Sequence, residues 1–469
     1  MSNQPIPSSL LPPFRVLPEP QLVFGTTDPH PTHVNPLLGL SEFGPFATVP
    51  GGGAVRVATI TVAGAKSQLY EFLRGLRMMH EPTDRKTYVP RFPGFQDVMK
   101  IDIVPAGAHV DLPLDLGNFG DHAQNRIVTA LGRAISQLMD QRDQWDVVAF
   151  LLPRSWERWR ISDDRQQDLH DRLKAIAAPL GCPVQMIREA SALEFRYKAS
   201  LAWRLSLAFF VKAGGVPWRV QRTTPEETAY IGLSYAIRGG TSNSFVTCCS
   251  QVLDSEGGGM EFVAYNIGVA RDLENPHLTR DEMRAVMARS AHLYQLRHAG
   301  RMPRRLSVHK NTRWRMEEVE GVMDAWSATA DIECITIQRS DWRGVILDRA
   351  ESGSKPASWP VDRGTLQQLS GKSALLWVNA TARSASLQGG PYNPNVKGLP
   401  SPLLVIRDAG HGPFEITGAD LLALSTLDWN NDAPFDSGPV TIEYSRRLAS
   451  IIAHVPELPD NIYHYRLFM

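Results

Sequence analysis

The stretch FFVKAGGVPWRV, Phe209 to Val220, decides how the chain divides. Its apolar start closes a helical run, Gly214 and Gly215 stop that run, and Pro217 cannot continue it. Upstream, Ser191-Ala-Leu-Glu194 has the spacing of a capping box, in which the Ser and the Glu each satisfy a helix N-terminal amide. The spacing predicts a helix from Ser191 to the glycine pair, with Lys212 in its last turn. A domain boundary follows near Gly214 to Arg219.

On the N-terminal side, AVRVATITVAG (Ala54 to Gly64) alternates like a strand, and Leu69, Phe72, Leu73 and Leu76 then recur at helical spacing. A second helical stripe, Ile127, Leu131, Ile135 and Leu138, precedes WDVVAFLLP (Trp145 to Pro153), a continuous apolar run of buried-strand type. A helix through Leu169, Leu173 and Ile176 leads to the short strand VQMI (Val184 to Ile187). Such alternation favours an α/β layer fold on a parallel sheet. The first 50 residues, rich in Pro and Gly and ending in PGGG (Pro50 to Gly53), read as an extended leader.

On the C-terminal side a second α/β region opens at Thr228 with the strand AYIGLSYAI, a hairpin turning at DSEGGG (Asp254 to Gly259) and a helix capped by Thr279-Arg-Asp-Glu282. Further strands are expected at RRLSVHK, DIECITIQ, ALLWVNA and PLLVIRD. The expected division is a leader over 1–53, a first domain over 54–216 and a second over 217–469.

With 49 basic and 49 acidic residues the net charge is zero, so a nucleic-acid partner can be argued only from local patches. Cys182, Cys248, Cys249 and Cys334 form no CxxC pair and read as buried thiols in a reducing compartment. The N-terminus lacks the basic and apolar regions of a signal peptide, and no apolar run approaches the roughly 18 residues of a spanning helix. A cytoplasmic protein is expected. GKS at Gly371 to Ser373 lacks the earlier glycine of a phosphate-binding loop, because Leu366 stands there.

His170 and Lys174 lie four residues apart on a helix face that is not the Leu169, Leu173, Ile176 stripe. With Gln185 on the next strand and Lys212 at the end of the following helix, they could hold a terminal phosphate, the ring stacking on a base. Singly, each also reads as a solvated polar residue or as a lysine complementing a helix dipole.

The order HxxxK, then Gln in PVQM, then K-x-GG-x-PW resembles the MID domain of Argonaute proteins. Lys212, Gly214, Gly215, Pro217 and Trp218 match the last string residue by residue. The resemblance implies that His170, Lys174, Gln185 and Lys212 anchor a guide strand's 5′ phosphate; His170 resembles the short prokaryotic branch. It extends from Ala54 to Met469 and implies a Rossmann-like MID domain followed by an RNase H-like PIWI domain.

In that PIWI half, YIGLSY, SVHKNT and VTIEYSRRLASIIAHV resemble the segments that carry a nuclease's metal ligands, and here the corresponding residues are Ser234, Asn311 and Arg446. Two-metal hydrolysis needs clustered carboxylates to hold two divalent ions, and these three side chains cannot build that cage. The resemblance further implies Mg²⁺ beside the 5′ phosphate, held by the C-terminal carboxylate of Met469, within an aromatic tail buried between the domains.

Between Arg284 and Arg315 stand nine Lys or Arg residues and no acidic one. Arg301, Arg304, Arg305, Lys310 and Arg313 would line the guide–target channel, where backbone contacts supply non-specific affinity, or would form a solvated face. The implied protein is a sensor that holds a guide RNA and a complementary single-stranded DNA target without cutting. Its partner would carry an APAZ region fused to Sir2, or to a TIR or nuclease effector, and would deplete NAD in defence against invading DNA. Two other readings compete: an active guide-directed endonuclease using Asp254, Glu256, Glu261, Asp408 or Asp428, and a plain α/β scaffold.

Overall fold

The computed structural model describes residues 13–83, 86, 89–161, 168–190, 198–222, 224, 226–237, 245–254, 258, 261–269, 276–347, 358–382, 387, 399–454 and 462–469. The stretch expected to be an extended leader instead holds three short strands, β1 (Phe14–Val16), β2 (Leu22–Val23) and β3 (Thr32–His33), and the helix α1 (Pro36–Phe43). Asn35 caps α1 by accepting from the amides of Leu37 and Leu38 at 3.0 and 3.1 Å. Leu22, Phe24, Leu37, Leu40 and Val49 are buried in the main core. Strands of two or three residues separated by prolines are too short to show a period, which is why the sequence hid them.

The next elements are β4 (Ala54–Val62), α2 (Lys66–Gly75), α3 (Phe95–Met99), β5 (Asp102–Leu112), α4 (Ala123–Met139), β6 (Val147–Leu152), α5 (Leu169–Ala177), β7 (Val184–Arg188) and α6 (Lys198–Lys212). Their strands pair in parallel in the order β5-β4-β6-β7. All six residues of β6 are buried, as the apolar run required of a strand covered on both faces. The chain crosses from one side of β4 to the other between β5 and β6, which opens a crevice at the carboxyl ends of these strands. α6 ends at Lys212, and Gly214 follows with a φ of 102°, a conformation that disfavours a Cβ. The capping box at Ser191 lies outside the described residues.

The second lobe contains β8 (Arg219–Val220), β9 (Thr228–Ile237), β10 (Phe245–Leu253), β11 (Glu261–Val269), α7 (Arg280–Arg297), β12 (Arg305–Lys310), α8 (Met316–Ala325), β13 (Asp331–Arg339), β14 (Val345–Leu347), β15 (Ser358–Pro360), β16 (Thr365–Ser370), β17 (Ser373–Leu376), β18 (Leu403–Ala409), α9 (Phe414–Leu424), α10 (Val440–His454) and β19 (Ile462–His464). Ten strands make one sheet, whose centre runs β11-β10-β9-β12-β13. β9, β10 and β11 form an antiparallel meander, whereas β12 and β13 join β9 in parallel through helical crossovers. This is the expected RNase H-like arrangement. The capping box at Thr279 and Glu282 is present at the start of α7, and the tip of the β10–β11 hairpin falls largely outside the described residues.

α10 lies against β9 at Gly232, where any Cβ would collide with the carbonyl oxygen of Thr441. The N-terminal segment ties the lobes together, since β1 pairs with β16 and β2 with β8. One apolar core also spans both lobes, combining Trp203, Phe209 and Phe210 of α6 with Trp429, Tyr444 and Phe468. Within it the Trp218 indole donates to the Thr426 carbonyl at 2.9 Å. Cys182 and Cys334 are buried free thiols; the side chains of Cys248 and Cys249 lie outside the description. Among the described residues no helix is long and apolar enough to cross a membrane.

Candidate nucleic-acid interface

The cationic residues singled out in the first lobe converge where its sheet opens towards α10. Asp168 caps α5 by accepting from the His170 amide at 2.8 Å, which sets His170 in the first turn. Lys174, one turn later, is buried and donates its Nζ to the Phe468 carbonyl at 2.8 Å. Lys212 is buried as well, and its Nζ donates to the side-chain oxygen of Gln185. Gln185 is fixed in turn by donating to the Met186 carbonyl at 2.9 Å. The aromatic tail packs as expected, with Tyr465, Phe468 and Met469 each at most 5% exposed.

Arg447 of α10 completes the cluster, although nothing in its sequence context sets it apart from its neighbour Arg446. It faces a narrow cleft with Tyr444, Tyr465, Phe468 and Met469, and its Nη1 is buried without a hydrogen-bond partner. Burial, Lys212 and Arg447 together hold the Lys174 ammonium well below the ordinary lysine range. Burial and Arg447 likewise bring Lys212 down to about 7. Lys174, and secondarily burial, lower His170 to about 4, so its ring is neutral at pH 7 and suited to stacking.

Two buried lysines beside a half-buried arginine are costly unless an anion joins them. The side chains therefore fit a phosphate. The Mg²⁺ expected beside Met469 would draw on the terminal carboxylate and the guide's phosphate, since among the described residues no group of three or more His, Cys, Asp or Glu is placed to hold a metal.

In the second lobe, the register pairs Leu233 of β9 with Lys310, the last residue of β12, so Ser234 within β9 comes next on one strand and Asn311, just past the end of β12, on the other. Arg446 lies in the first half of α10 and holds Glu443 at 2.5 Å. Asn311 and Arg446 line one cavity of about 240 Å³. The carboxylates of the competing nuclease reading are engaged in separate local bonds. Asp254 accepts from the Gly258 amide at 2.7 Å, Glu261 pairs with Arg297 at 2.8 Å, Asp408 with Arg313 at 2.6 Å, and Asp428 accepts from the Tyr444 hydroxyl at 2.7 Å. Glu256 lies outside the described residues.

The basic stretch requires correction. Arg305, expected in a channel, is only 11% exposed and is held between Asp420 at 2.5 Å and Glu333 at 2.8 Å. Lys310, also expected there, is completely buried against Glu318 at 2.6 Å. The neutralising carboxylates come from β13, α8 and α9, beyond the acid-free window. Arg301 and Arg304 are exposed, and Arg313 is exposed while paired with Asp408.

A Rossmann-like lobe and an RNase H-like lobe define a two-lobed α/β protein with a cluster of cationic side chains at the lobe junction. The chain is a low-identity homologue of Argonaute proteins, with the fold of their MID and PIWI halves. It is 23% identical over 451 residues to the Argonaute protein of Cereibacter sphaeroides, covering 90% of this chain and 54% of that one. The structure of Clostridium butyricum Argonaute bound to a guide DNA and a 19-mer target DNA superposes with a TM-score of 0.70 at 13% identity, over 100% of this chain and 56% of the other. The crystal structure of A. aeolicus Argonaute gives a TM-score of 0.62 at 13% identity over 97% of this chain and 55% of the other. The chain thus spans about half the length of the relatives it matches. No family model matches it.

Proposed function

We propose that this chain is a guide-loaded nucleic-acid sensor of the short prokaryotic Argonaute type, with a MID domain over 54–216 and an inactive PIWI domain over 217–469. The observation that carries the reading is the pair of buried lysines, Lys174 and Lys212, beside the half-buried Arg447, whose Nη1 is buried without a partner. A 5′ phosphate supplies the missing charge and acceptors. His170 stacks on the first base, and Gln185 positions Lys212.

The guide is RNA and the target a complementary single-stranded DNA. The target is held without cleavage, because Ser234, Asn311 and Arg446 stand where metal-holding carboxylates would be needed. Output passes to an APAZ-bearing effector of Sir2, TIR or nuclease type. The target-bound state must bind that effector's active form better than its resting form, since a ligand shifts an equilibrium only by differential affinity.

The test is a cleavage assay with guide, perfectly matched target and Mg²⁺ or Mn²⁺. Binding without a cut is expected, with NAD⁺ loss or DNA degradation only when the effector is added. A cut at one defined position by this chain alone, abolished by Asp408→Ala or Asp254→Ala, would favour the nuclease reading instead.

A further inference from the structure

The helix α4 buries one face, with Ile127, Leu131, Ile135 and Leu138 in the core of the first lobe. Its other face runs through His122, Arg126, Thr129 and Arg133, all exposed and three or four residues apart. Together with Leu116 and Ala130 they line an open trough of about 450 Å³ on the outside of the helix. Among the described residues no carboxylate lines it, and none of the 17 residues of α4 is acidic.

A solvated helix face ordinarily mixes both signs of charge, so that a guanidinium has an acidic neighbour one turn away. Arg126 and Arg133 have none, and among the described residues neither makes an ion pair or a hydrogen bond. Arg126 instead lies over the Phe119 ring, 3.9 Å from its centroid, which fixes the guanidinium while leaving its N–H donors free. Its place in the first turn of α4 works against the helix dipole, which favours an anion there.

The trough has fixed walls. Arg172 of α5 ties down the start of α4, donating to Asn125 Oδ1 at 2.7 Å and to Gln124 Oε1 at 3.3 Å. The turn Leu114–Asn118 is held by the indoles of Trp156 and Trp159, which donate to the Leu114 and Gly117 carbonyls at 3.1 and 2.8 Å. Leu116 and Ala130 supply apolar lining, and Leu114, two residues before Leu116, is 51% exposed. A single-strand groove offers free aromatic faces to successive bases, whereas the ring beside this trough, Phe119, is already covered by Arg126. Two arginines seven residues apart on one helix, about 10 Å along its axis, instead match carboxylates two turns apart on a second helix, with apolar side chains between them.

We propose that this trough docks an acidic amphipathic helix of a protein partner, whose carboxylates pair with Arg126 and Arg133 and whose apolar side chains pack on Leu116 and Ala130. The trough shares no residue with the cluster of Lys174, Lys212 and Arg447, so the proposal stands independently of the guide reading.

The experiment uses the full chain and a fluorescein-labelled helical peptide of about five turns, with glutamates two turns apart on one face and leucines between them. Fluorescence anisotropy should show saturable binding that weakens with salt. Arg126→Glu and Arg133→Glu should each lower affinity by about tenfold or more, Arg126→Lys should lose less than Arg126→Glu, and Phe119→Ala should lose severalfold. Arg74→Glu, an exposed reversal on α2, should change nothing. The double reversal should in turn bind a peptide with lysines in place of the glutamates. Urea midpoints should equal the wild type, because neither arginine has a partner to lose; the neutral Arg126→Gln and Arg133→Gln serve where a reversal fails to fold.

A wild type that does not bind the glutamate peptide overturns the proposal, as does equal affinity in the double variants or in the charge-swapped pair. A 5′-hydroxyl oligonucleotide that loses affinity on double reversal while the peptide does not would make the trough a nucleic-acid surface and overturn it. Sedimentation that shows a dimer of the wild type, dissociated by the double reversal, would make the occupant a second copy of this chain and overturn it as well.

Discussion

Lys174 donates to the carbonyl oxygen of Phe468 at 2.8 Å, so a lysine of the first lobe is oriented by a residue 294 positions further along the chain. The proposed guide site is therefore assembled from both lobes. Phe468→Ala should cost about 3–5 kcal/mol, as expected for a buried aromatic, and should loosen the tail that aims Lys174. Denaturant titration and the affinity ratio for 5′-phosphorylated over 5′-hydroxyl guides read the two effects. Unchanged stability with an undiminished ratio would show that the tail is no part of the site.

Lys212 carries a pH signature. Its folded value of about 7 lies below the ordinary 10.5, so between these values the folded protein binds fewer protons than the unfolded chain. The unliganded fold should gain stability as pH rises from about 7 towards 10, and that contribution is lost as pH falls through 7. A bound phosphate favours the charged lysine, so guide binding at pH 8 should take up protons. Calorimetry in two buffers of different ionisation enthalpy measures the uptake, and Lys212→Met should reduce it, leaving the share that belongs to Lys174. Equal heats in both buffers would contradict this account.

The basic residues divide into two groups that mutation can separate. Lys310→Ala leaves Glu318 buried and unpaired, so it should destabilise the fold by about 3–5 kcal/mol in urea titrations. The salt dependence of nucleic-acid binding should be untouched. Reversing Arg301 and Arg304 should do the opposite, lowering affinity for all sequences and flattening its salt dependence, with stability changed by no more than about 0.5 kcal/mol. An unchanged salt slope would return Arg301 and Arg304 to a solvated face.

Much of the fold was legible because its elements are long enough to show a period. The Leu69 stripe of α2, the Ile127 stripe of α4, the apolar run of β6 and the Thr279 cap of α7 all stand where expected. The strands before Val49 were illegible because two or three residues carry no period. α8, with four acidic residues in ten, and α9, buried nearly all round, lack the single apolar stripe that marks a surface helix.

The site was legible in part for a different reason. Lys174, Gln185 and Lys212 follow one another on consecutive elements of one lobe, so their order in sequence preserves their proximity. Arg447 comes from the other lobe and meets them only through the interlobe packing. The same distance in sequence misled the reading of Arg305, whose counter-charges Glu333 and Asp420 lie 28 and 115 residues away.

The central claim is that Lys174, Lys212 and Arg447 surround a guide's terminal phosphate, and paired affinities test it most directly. One oligonucleotide, with a 5′ phosphate or a 5′ hydroxyl, is titrated against the wild type, Lys174→Ala and Lys212→Ala. Charge-assisted contacts are worth about 1.5–3 kcal/mol each, so the wild type should prefer the phosphorylated form by about tenfold or more, and each variant should lose most of that preference. Equal affinity of the wild type for both forms, or equal losses for both in the variants, would contradict the account.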